Sequence, residues 1–168
     1  MRGSSFVASR TRIPRSSAPL SRGWVGTKPA EQYVRYLAEQ TEGLRVVITG
    51  WIGSSFAGYV TVVWKPDYPP FRTAGVPEIQ DLNVVSDFRR RGIATSLLDE
   101  AEARIAQRSP VAGIGVGLHP GYNAAQRLYV LHGYVPDGRG VAHAGHFVRE
   151  RELVRFDDDL VFRMTKRV

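Results

Sequence analysis

One stretch of the sequence constrains the fold more than any other. Residues 78–98 read EIQDLNVVSDFRRRGIATSLL, a strand pattern that runs through a turn into an amphipathic helix. The first N–H groups of a helix lack partners within it, and the helix dipole favours an anion there. Arg89, Arg90 and Arg91 precede Gly92 at this end. We therefore expect an anion site, most naturally for a phosphate. A capped helix with a solvated basic end is the simpler alternative.

The rest of the chain alternates between strand and helix patterns. The predicted helices are 30–41, 91–108 and 123–132, and the predicted strands are 44–52, 56–64, 78–85, 111–118, one from 134 and 160–164. Segment 65–77 holds four prolines, so we predict an ordered loop rather than a helix, and 136–156 shows no clear period. A strand that follows a long helix can pair in parallel, whereas a hairpin is antiparallel. The order predicts one α/β domain, with a mixed sheet and helices on both faces.

The positive charge is concentrated at one end of the chain. The net charge is +7, and residues 1–30 hold six of the 23 basic residues and no acid. The remaining chain is close to neutral, so we do not expect it to bind nucleic acid, although the basic tail could attach a nucleic-acid-linked amine as an alternative. Without a long apolar run, we do not expect a membrane as a partner. Residues 1–29 are predicted to be a basic flexible tail or a degenerate first strand, and residues 30–168 the folded domain. A targeting segment and an anion-binding arm are alternatives for the tail.

Composition excludes several classes of site. The chain has no cysteine, which excludes a disulfide scaffold, a thiolate zinc site and a cysteine nucleophile. His143 and His146 lie three residues apart, but nothing fixes a further ligand, so no metal is expected. No apolar run is long enough for a transmembrane helix. We expect a cytoplasmic protein, although a chain without cysteine fits either side of a membrane.

Two segments together resemble the GNAT N-acetyltransferase superfamily. Arg89-Arg90-Arg91-Gly92-Ile93-Ala94 matches the family's Q/R-x-x-G-x-G/A motif, and Asn123 to Tyr129 followed by Gly133-Tyr134 resembles its next conserved segment. The order of strands and helices agrees over about residues 31–168. The resemblance implies a mostly antiparallel sheet that splays between the fourth and fifth strands. It also implies transfer of an acetyl group from acetyl-CoA to a primary amine of a small molecule or peptide, by direct attack in a ternary complex.

The resemblance also assigns roles to residues. The implied coenzyme-binding positions are Leu82, Val84, Val85, Arg89, Arg90, Arg91, Gly92, Ile93, Ala94, Thr95 and Asn123. Tyr129 matches the tyrosine that protonates the departing thiolate, and a phenol, with an ordinary pKa of ~10, can donate a proton at neutral pH. Glu78, fourteen residues before Gly92, matches the general base of the histone-acetylating branch. A half-buried aromatic and a strand-end carboxylate are the structural alternatives for these two residues.

Two further possibilities stay open at this point. A GNAT-like domain could hold acyl-CoA as a sensor, or dock a partner, without catalysis. A homodimer is compatible with the sequence. The identity of the acceptor depends on loops 65–77 and 136–156, whose conformations the pattern does not predict.

Overall fold

A computed structural model describes residues 6–10 and 29–168 of the chain, with side chains for 29–168. The predictions for the basic tail therefore lie outside the described residues, apart from residues 6–10 and Pro29. The chain divides into two compact units. The first unit comprises the described residues up to Val63 together with Gln80–Arg104, and the second unit comprises Trp64–Ile79 and Ile105–Val168.

The described residues form four α-helices and eight strands. The helices are α1 (Ala30–Thr41), α2 (Pro69–Ala74), α3 (Ile93–Ala106) and α4 (Asn123–Leu131). The strands are β1 (Phe6–Arg10), β2 (Arg45–Ile52), β3 (Ser55–Val63), β4 (Glu78–Val84), β5 (Val111–Gly117), β6 (Val135–His143), β7 (His146–Phe147) and β8 (Leu160–Arg167). Their order in the sheet is β1-β2-β3-β4-β5-β8-β6-β7.

The sheet is mixed, as predicted. β4 pairs in parallel with β5 through Glu78 with Gly113 and Ile79 with Ile114. The pairing covers only these two residues of each strand, in agreement with the splay predicted between the fourth and fifth strands. The other registers described are antiparallel. The predicted fold class is therefore confirmed.

In the first unit, α1 packs on the β2–β3 hairpin. The hairpin turns at Gly53, whose φ of 58° belongs to the left-handed region that glycine adopts without strain. Tyr36 of α1 is buried against Val47 and Tyr59, so one aromatic ring joins the helix to both strands. This contact holds α1 against the β2–β3 hairpin.

In the second unit, alternate glycines of β5 admit large side chains on one face of the strand. A Cβ atom added to Gly113 would lie 2.4 Å from the Phe71 ring, and one added to Gly117 would lie 2.4 Å from the Tyr122 ring. Side chains of a strand alternate between faces, so these glycines share a face with Gly115. The intervening Ala112, Ile114 and Val116 are buried. The run VAGIGVG therefore forms a buried strand, as predicted, and also receives rings in its gaps.

Two segments differ from prediction. Segment 65–77 contains helix α2, because Pro69 and Pro70 occupy its first turn, where proline is tolerated, and Gly75 ends it with a φ of 65°. Segment 136–156 contains all of β6 except its first residue, and β6 forms a short hairpin with β7. Gly138 and Gly140 in β6 have positive φ values, which interrupt the alternation that identifies a strand. Among the described residues, no helix is long and apolar enough to cross a membrane.

Candidate active site

The arginine-rich turn between β4 and α3 belongs to the first unit. A single 3-10 turn, Ser86–Phe88, follows β4, and then Arg90 and Gly92 adopt φ values of 59° and 78°. A Cβ atom added to Gly92 would meet nothing within 4 Å, so glycine is favoured here for its backbone conformation rather than for space. The Ser96 N–H donates to the Gly92 carbonyl oxygen at 3.0 Å and closes the first turn of α3.

This turn offers positive charge to solvent. Arg89, Arg90 and Arg91 are exposed, and the first turn of α3 carries no acidic residue. The Arg89 Nε donates to the Val84 carbonyl oxygen at 3.1 Å, which ties the turn to the end of β4. The first backbone N–H groups of α3 have no partner within the helix. Together these groups fit an anion of the pyrophosphate class.

The strand before the turn is held close to β3. The Val85 N–H donates to the Ala57 carbonyl oxygen at 2.9 Å. A Cβ atom added to Gly58 would lie 2.4 Å from the Asn83 carbonyl oxygen, so only glycine allows this approach of the two backbones. Leu82, Val84 and Val85 are half-buried. The structure therefore brings these predicted coenzyme-binding positions into the same unit as Arg89–Thr95.

Asp81, in the middle of β4, is a residue that sequence reasoning passed over. Its φ is 55°, inside a strand that is otherwise extended. Its Oδ2 accepts hydrogen bonds from the Tyr36 hydroxyl and, at 3.2 Å, from the Gln32 amide. Burial, followed by the hydrogen bond to Asp81, raises the pKa of Tyr36 to about 12, so the phenol stays a donor at neutral pH. The only sequence signal is the tolerance of aspartate for positive φ.

Glu78, the predicted general base, lies in the second unit at the start of β4. Its side chain is buried, with the residue 2% exposed, and its Oε1 accepts a hydrogen bond from the Arg163 guanidinium. A Cβ atom added to Gly115 would lie 2.7 Å from Arg163 Nη1, so this glycine makes room for the ion pair. The register of β5 with β8 places Arg163 opposite Gly115.

The ion pair continues into a small polar network. The Arg163 guanidinium carbon lies 4.9 Å from the centre of the Tyr68 ring. The Tyr68 hydroxyl donates to Asp137 Oδ2 at 2.8 Å. Burial lowers the pKa of Arg163, and burial and then the bond to Asp137 raise the pKa of Tyr68. Tyr68 belongs to segment 65–77, and the structure buries it in this network.

The predicted general acid, Tyr129, lies on α4 in the second unit. It is 6% exposed, and its ring centre is 6.1 Å from that of Tyr134. Its carbonyl oxygen accepts from the Tyr134 N–H at 3.0 Å, which fixes the end of the helix. Asn123 is exposed at the first residue of α4. The Gln126 amide donates to the Gly117 carbonyl oxygen at 2.8 Å and ties α4 to β5.

The two histidines considered above as metal ligands each face a carboxylate. His143 Nε2 lies 3.1 Å from Asp157, and His146 Nε2 lies 3.0 Å from Glu152.

The predicted site residues are divided between the two units. Leu82, Val84, Val85 and Arg89–Thr95 lie in the first, and Glu78, Asn123 and Tyr129 lie in the second.

Solved structures with this fold are numerous and distant in sequence. A GNAT-family structure from Desulfovibrio desulfuricans matches with a TM-score of 0.70 and 14% identity, over 97% of this chain and 99% of that one. A GNAT family acetyltransferase from Elizabethkingia anophelis, with acetyl-CoA bound, matches with a TM-score of 0.63 and 12% identity, over 97% and 98%. A ribosomal-protein-alanine N-acetyltransferase from Brucella melitensis matches with a TM-score of 0.61 and 19% identity, over 85% and 81%.

Comparison of the sequence with known families identifies the family of this chain. No curated protein matches the chain in sequence. The acetyltransferase (GNAT) family, however, matches residues 15–134, which is more than half of the chain. This span includes the arginine-rich turn, α3, β5 and α4, the elements on which the candidate site is built. The protein is therefore an acyltransferase that belongs to the GNAT family of acetyltransferases.

Proposed function

We propose that this protein transfers the acetyl group of acetyl-CoA to a primary amine of a small molecule or peptide, in a ternary complex of enzyme, acetyl-CoA and amine. One observation carries the proposal. The exposed arginines of Arg89–Arg91 lie at the start of α3, whose first turn lacks any acid. An anionic pyrophosphate suits this combination of free N–H groups and positive charge.

The coenzyme would be held by the groups that the first unit supplies. The turn Arg89–Thr95 would bind the pyrophosphate, and the backbone of Leu82, Val84 and Val85 would bind the pantetheine arm. The neighbour from Elizabethkingia anophelis, which binds acetyl-CoA in this fold, supports the assignment. Asn123 stays a predicted coenzyme contact, and its exposure at the start of α4 is compatible with that role.

The transfer needs one acid and one base. The neutral amine attacks the thioester carbonyl carbon, the new C–N bond forms, and the C–S bond of the tetrahedral intermediate breaks. Tyr129 would give its phenol proton to the departing thiolate. The proton lost by the attacking amine goes to a base, which is Glu78 or a water molecule. Because Glu78 is buried against Arg163, a water molecule would relay the proton to it.

The acceptor class rests on amine chemistry. The neighbour from Brucella melitensis is named for acetylating an alanine amine of a ribosomal protein. A peptide N-terminus is therefore one acceptor to test, and a polyamine is a small-molecule counterpart. The cytoplasm stays the expected compartment, and a homodimer stays an open possibility.

Release of coenzyme A tests this proposal. Purified protein is incubated with acetyl-CoA and either an alanine-initiated peptide or spermidine, and the free thiol is followed over time. We expect amine-dependent release in the wild type, and Tyr129→Phe should lower kcat about 100-fold with an unchanged Kd for acetyl-CoA. Tyr122→Phe, which removes a phenol hydroxyl elsewhere in the second unit, is the matched control and should leave kcat unchanged.

Two results would contradict the proposal. Wild-type turnover in Tyr129→Phe would remove the general-acid role of this tyrosine. Binding of acetyl-CoA without release of coenzyme A, across a broad panel of amines, would instead favour a sensor or docking domain that does not catalyse transfer.

A further inference from the structure

Asp81 adopts a backbone conformation that a strand residue normally avoids. Four described residues other than glycine have positive φ: Asp81, Arg90, Ala144 and Arg151. The last three lie in turns, whereas Asp81 lies inside β4, with a φ of 55°. Such conformations cost free energy and persist where the surroundings determine them, often at functional sites. We call this departure from extended backbone at Asp81 the bend in β4. Its position inside a strand indicates that specific contacts hold it and that it serves a function.

Two side chains of α1 supply the cause. Asp81 Oδ2 accepts from the Tyr36 hydroxyl and from the Gln32 amide, and that amide also donates to the Tyr36 hydroxyl oxygen. We call Gln32, Tyr36 and Asp81 the β4 clasp. Tyr36 is 3% exposed and packs with Val47 and Tyr59, so the position of its hydroxyl is fixed by the core.

The strand is also fixed on both sides of the bend. Before it, the Thr61 hydroxyl donates to the Gln80 carbonyl oxygen at 3.2 Å. After it, the Asn83 amide donates to the Asp81 carbonyl oxygen at 3.2 Å and to the Tyr59 hydroxyl at 3.3 Å. The clasp is therefore one part of a set of contacts that determines the path of β4 from residue 80 to residue 85.

We propose that Asp81 is a positioning residue, and that the β4 clasp holds the bend that aims the backbone of residues 82–85 at the acyl arm of acetyl-CoA. The inference rests on the proposed function, because it assumes that this backbone binds the coenzyme. Asp81 acts through its hydrogen bonds to α1 and exchanges no proton with substrate. Its donors are a phenol and an amide, which hold the carboxylate in place without a covalent role.

The test reads the acetyl carbonyl directly and needs no acceptor amine. Acetyl-CoA labelled with carbon-13 at the acetyl carbonyl is bound to the full chain, and the infrared carbonyl band is compared with that of the free thioester. Its Kd is measured by calorimetry. Backbone N–H groups held at the carbonyl oxygen should polarise it and displace the band to lower wavenumber in the wild type.

Four variants separate positioning from other roles. Tyr36→Phe and Asp81→Ala remove one side of the clasp, and we expect at least half of the displacement to be lost and Kd to rise about tenfold. Asp81→Asn should keep the displacement, because its amide oxygen can accept from Tyr36 and asparagine tolerates positive φ. Thr41→Val removes a hydroxyl of the same helix that donates to the Leu37 carbonyl oxygen at 3.0 Å, so it is the control and should also keep the displacement.

The outcomes are distinguishable. If wild-type protein binds no acetyl-CoA, the proposed function fails and this inference fails with it. If the wild type binds acetyl-CoA but the band is not displaced, or if Tyr36→Phe keeps the full displacement, only the positioning role is overturned. Loss of the displacement in Asp81→Asn would assign the effect to the charge of Asp81 and would also overturn it. Circular dichroism checks the fold of each variant, and Tyr36→Phe decides the question if Asp81→Ala does not fold.

Discussion

The arginines of the two units differ in what holds them. Arg89, Arg90 and Arg91 in the first unit are exposed and carry no ion pair among the contacts described for them. Arg163 in the second unit is largely buried and pairs with the buried Glu78. An exposed guanidinium keeps its hydration and is ready for an anionic ligand, whereas a buried one is stable only while its partner is present. Binding and stability should therefore depend on different arginines.

Removing Arg163 should have the largest effect on stability. Arg163→Met keeps an apolar stem but leaves the Glu78 carboxylate buried without its cation. We expect the free energy of unfolding to fall by about 3–5 kcal/mol, measured by urea denaturation. The double variant Glu78→Gln/Arg163→Met is the control and should recover most of the loss. A loss below about 1 kcal/mol in the single variant would mean that the stability of the fold does not depend on this ion pair.

Gly58 and Gly115 provide the next comparison between the units. A Cβ atom at Gly58 would meet the backbone oxygen of Asn83 at 2.4 Å, whereas one at Gly115 would meet the end of the Arg163 side chain at 2.7 Å. A flexible side chain can move aside and a paired backbone cannot. We expect Gly58→Ala to cost about 1–3 kcal/mol and Gly115→Ala to cost less. Urea denaturation of both variants tests this, and the reverse order would contradict it.

Alkaline pH should reveal the buried phenol of the β4 clasp. Burial and the bond to Asp81 raise the pKa of Tyr36 from 10.0 to about 12. Between these values the unfolded chain loses the proton and the folded chain keeps it, so stability is present below pH 10.0 and falls as the pH rises toward 12. One such group contributes at most about 1.4 kcal/mol per pH unit.

The Tyr36→Phe variant lacks this group. Its free energy of unfolding should therefore fall less steeply between pH 10.0 and about 12 than that of the wild type. The measurement is the free energy of unfolding at several alkaline pH values. Curves of equal slope for the two proteins would contradict the burial of this hydroxyl against Asp81. Tyr33 and Tyr59, whose pKa values burial also raises, should leave a residual slope in both proteins.

Local patterns predicted the elements of this fold well. The apolar period of α3 was visible from residue 91 to 108, and the structure forms the helix at Ile93–Ala106. Helix α2 was missed because its first turn is made of prolines, which also occur in loops. The β6–β7 hairpin was missed because glycines with positive φ break its alternation.

The sequence predicted candidate residues of the site but not the long-range contacts that hold them. The motif Arg89–Ala94 is continuous in sequence, and its turn and helix could be read directly. The pair of Glu78 with Arg163 joins residues 85 positions apart, and the bond of Tyr36 to Asp81 joins residues 45 apart. Such pairs follow from strand register and helix packing, which a single sequence does not specify. Asp81 was therefore passed over, and the burial of Glu78 was not foreseen.

Thermal melting with acetyl-CoA measures whether the turn at Arg89–Thr95 binds the coenzyme. Wild-type protein and the variant Arg90→Asn/Arg91→Ala are melted with and without acetyl-CoA, with ATP and NAD as control ligands. Asparagine is chosen at position 90 because it tolerates the positive φ found there. A ligand at 100 times its Kd adds about 2.7 kcal/mol, which raises Tm by several degrees in a domain of this size.

We expect acetyl-CoA to raise the Tm of the wild type by several degrees, whereas ATP and NAD should not raise it. The variant should melt at the wild-type temperature without ligand and gain much less from acetyl-CoA, because its arginines serve binding rather than stability. An unchanged wild-type Tm at millimolar acetyl-CoA, or an equal gain in the variant, would contradict the claim that the turn at Arg89–Thr95 binds the coenzyme.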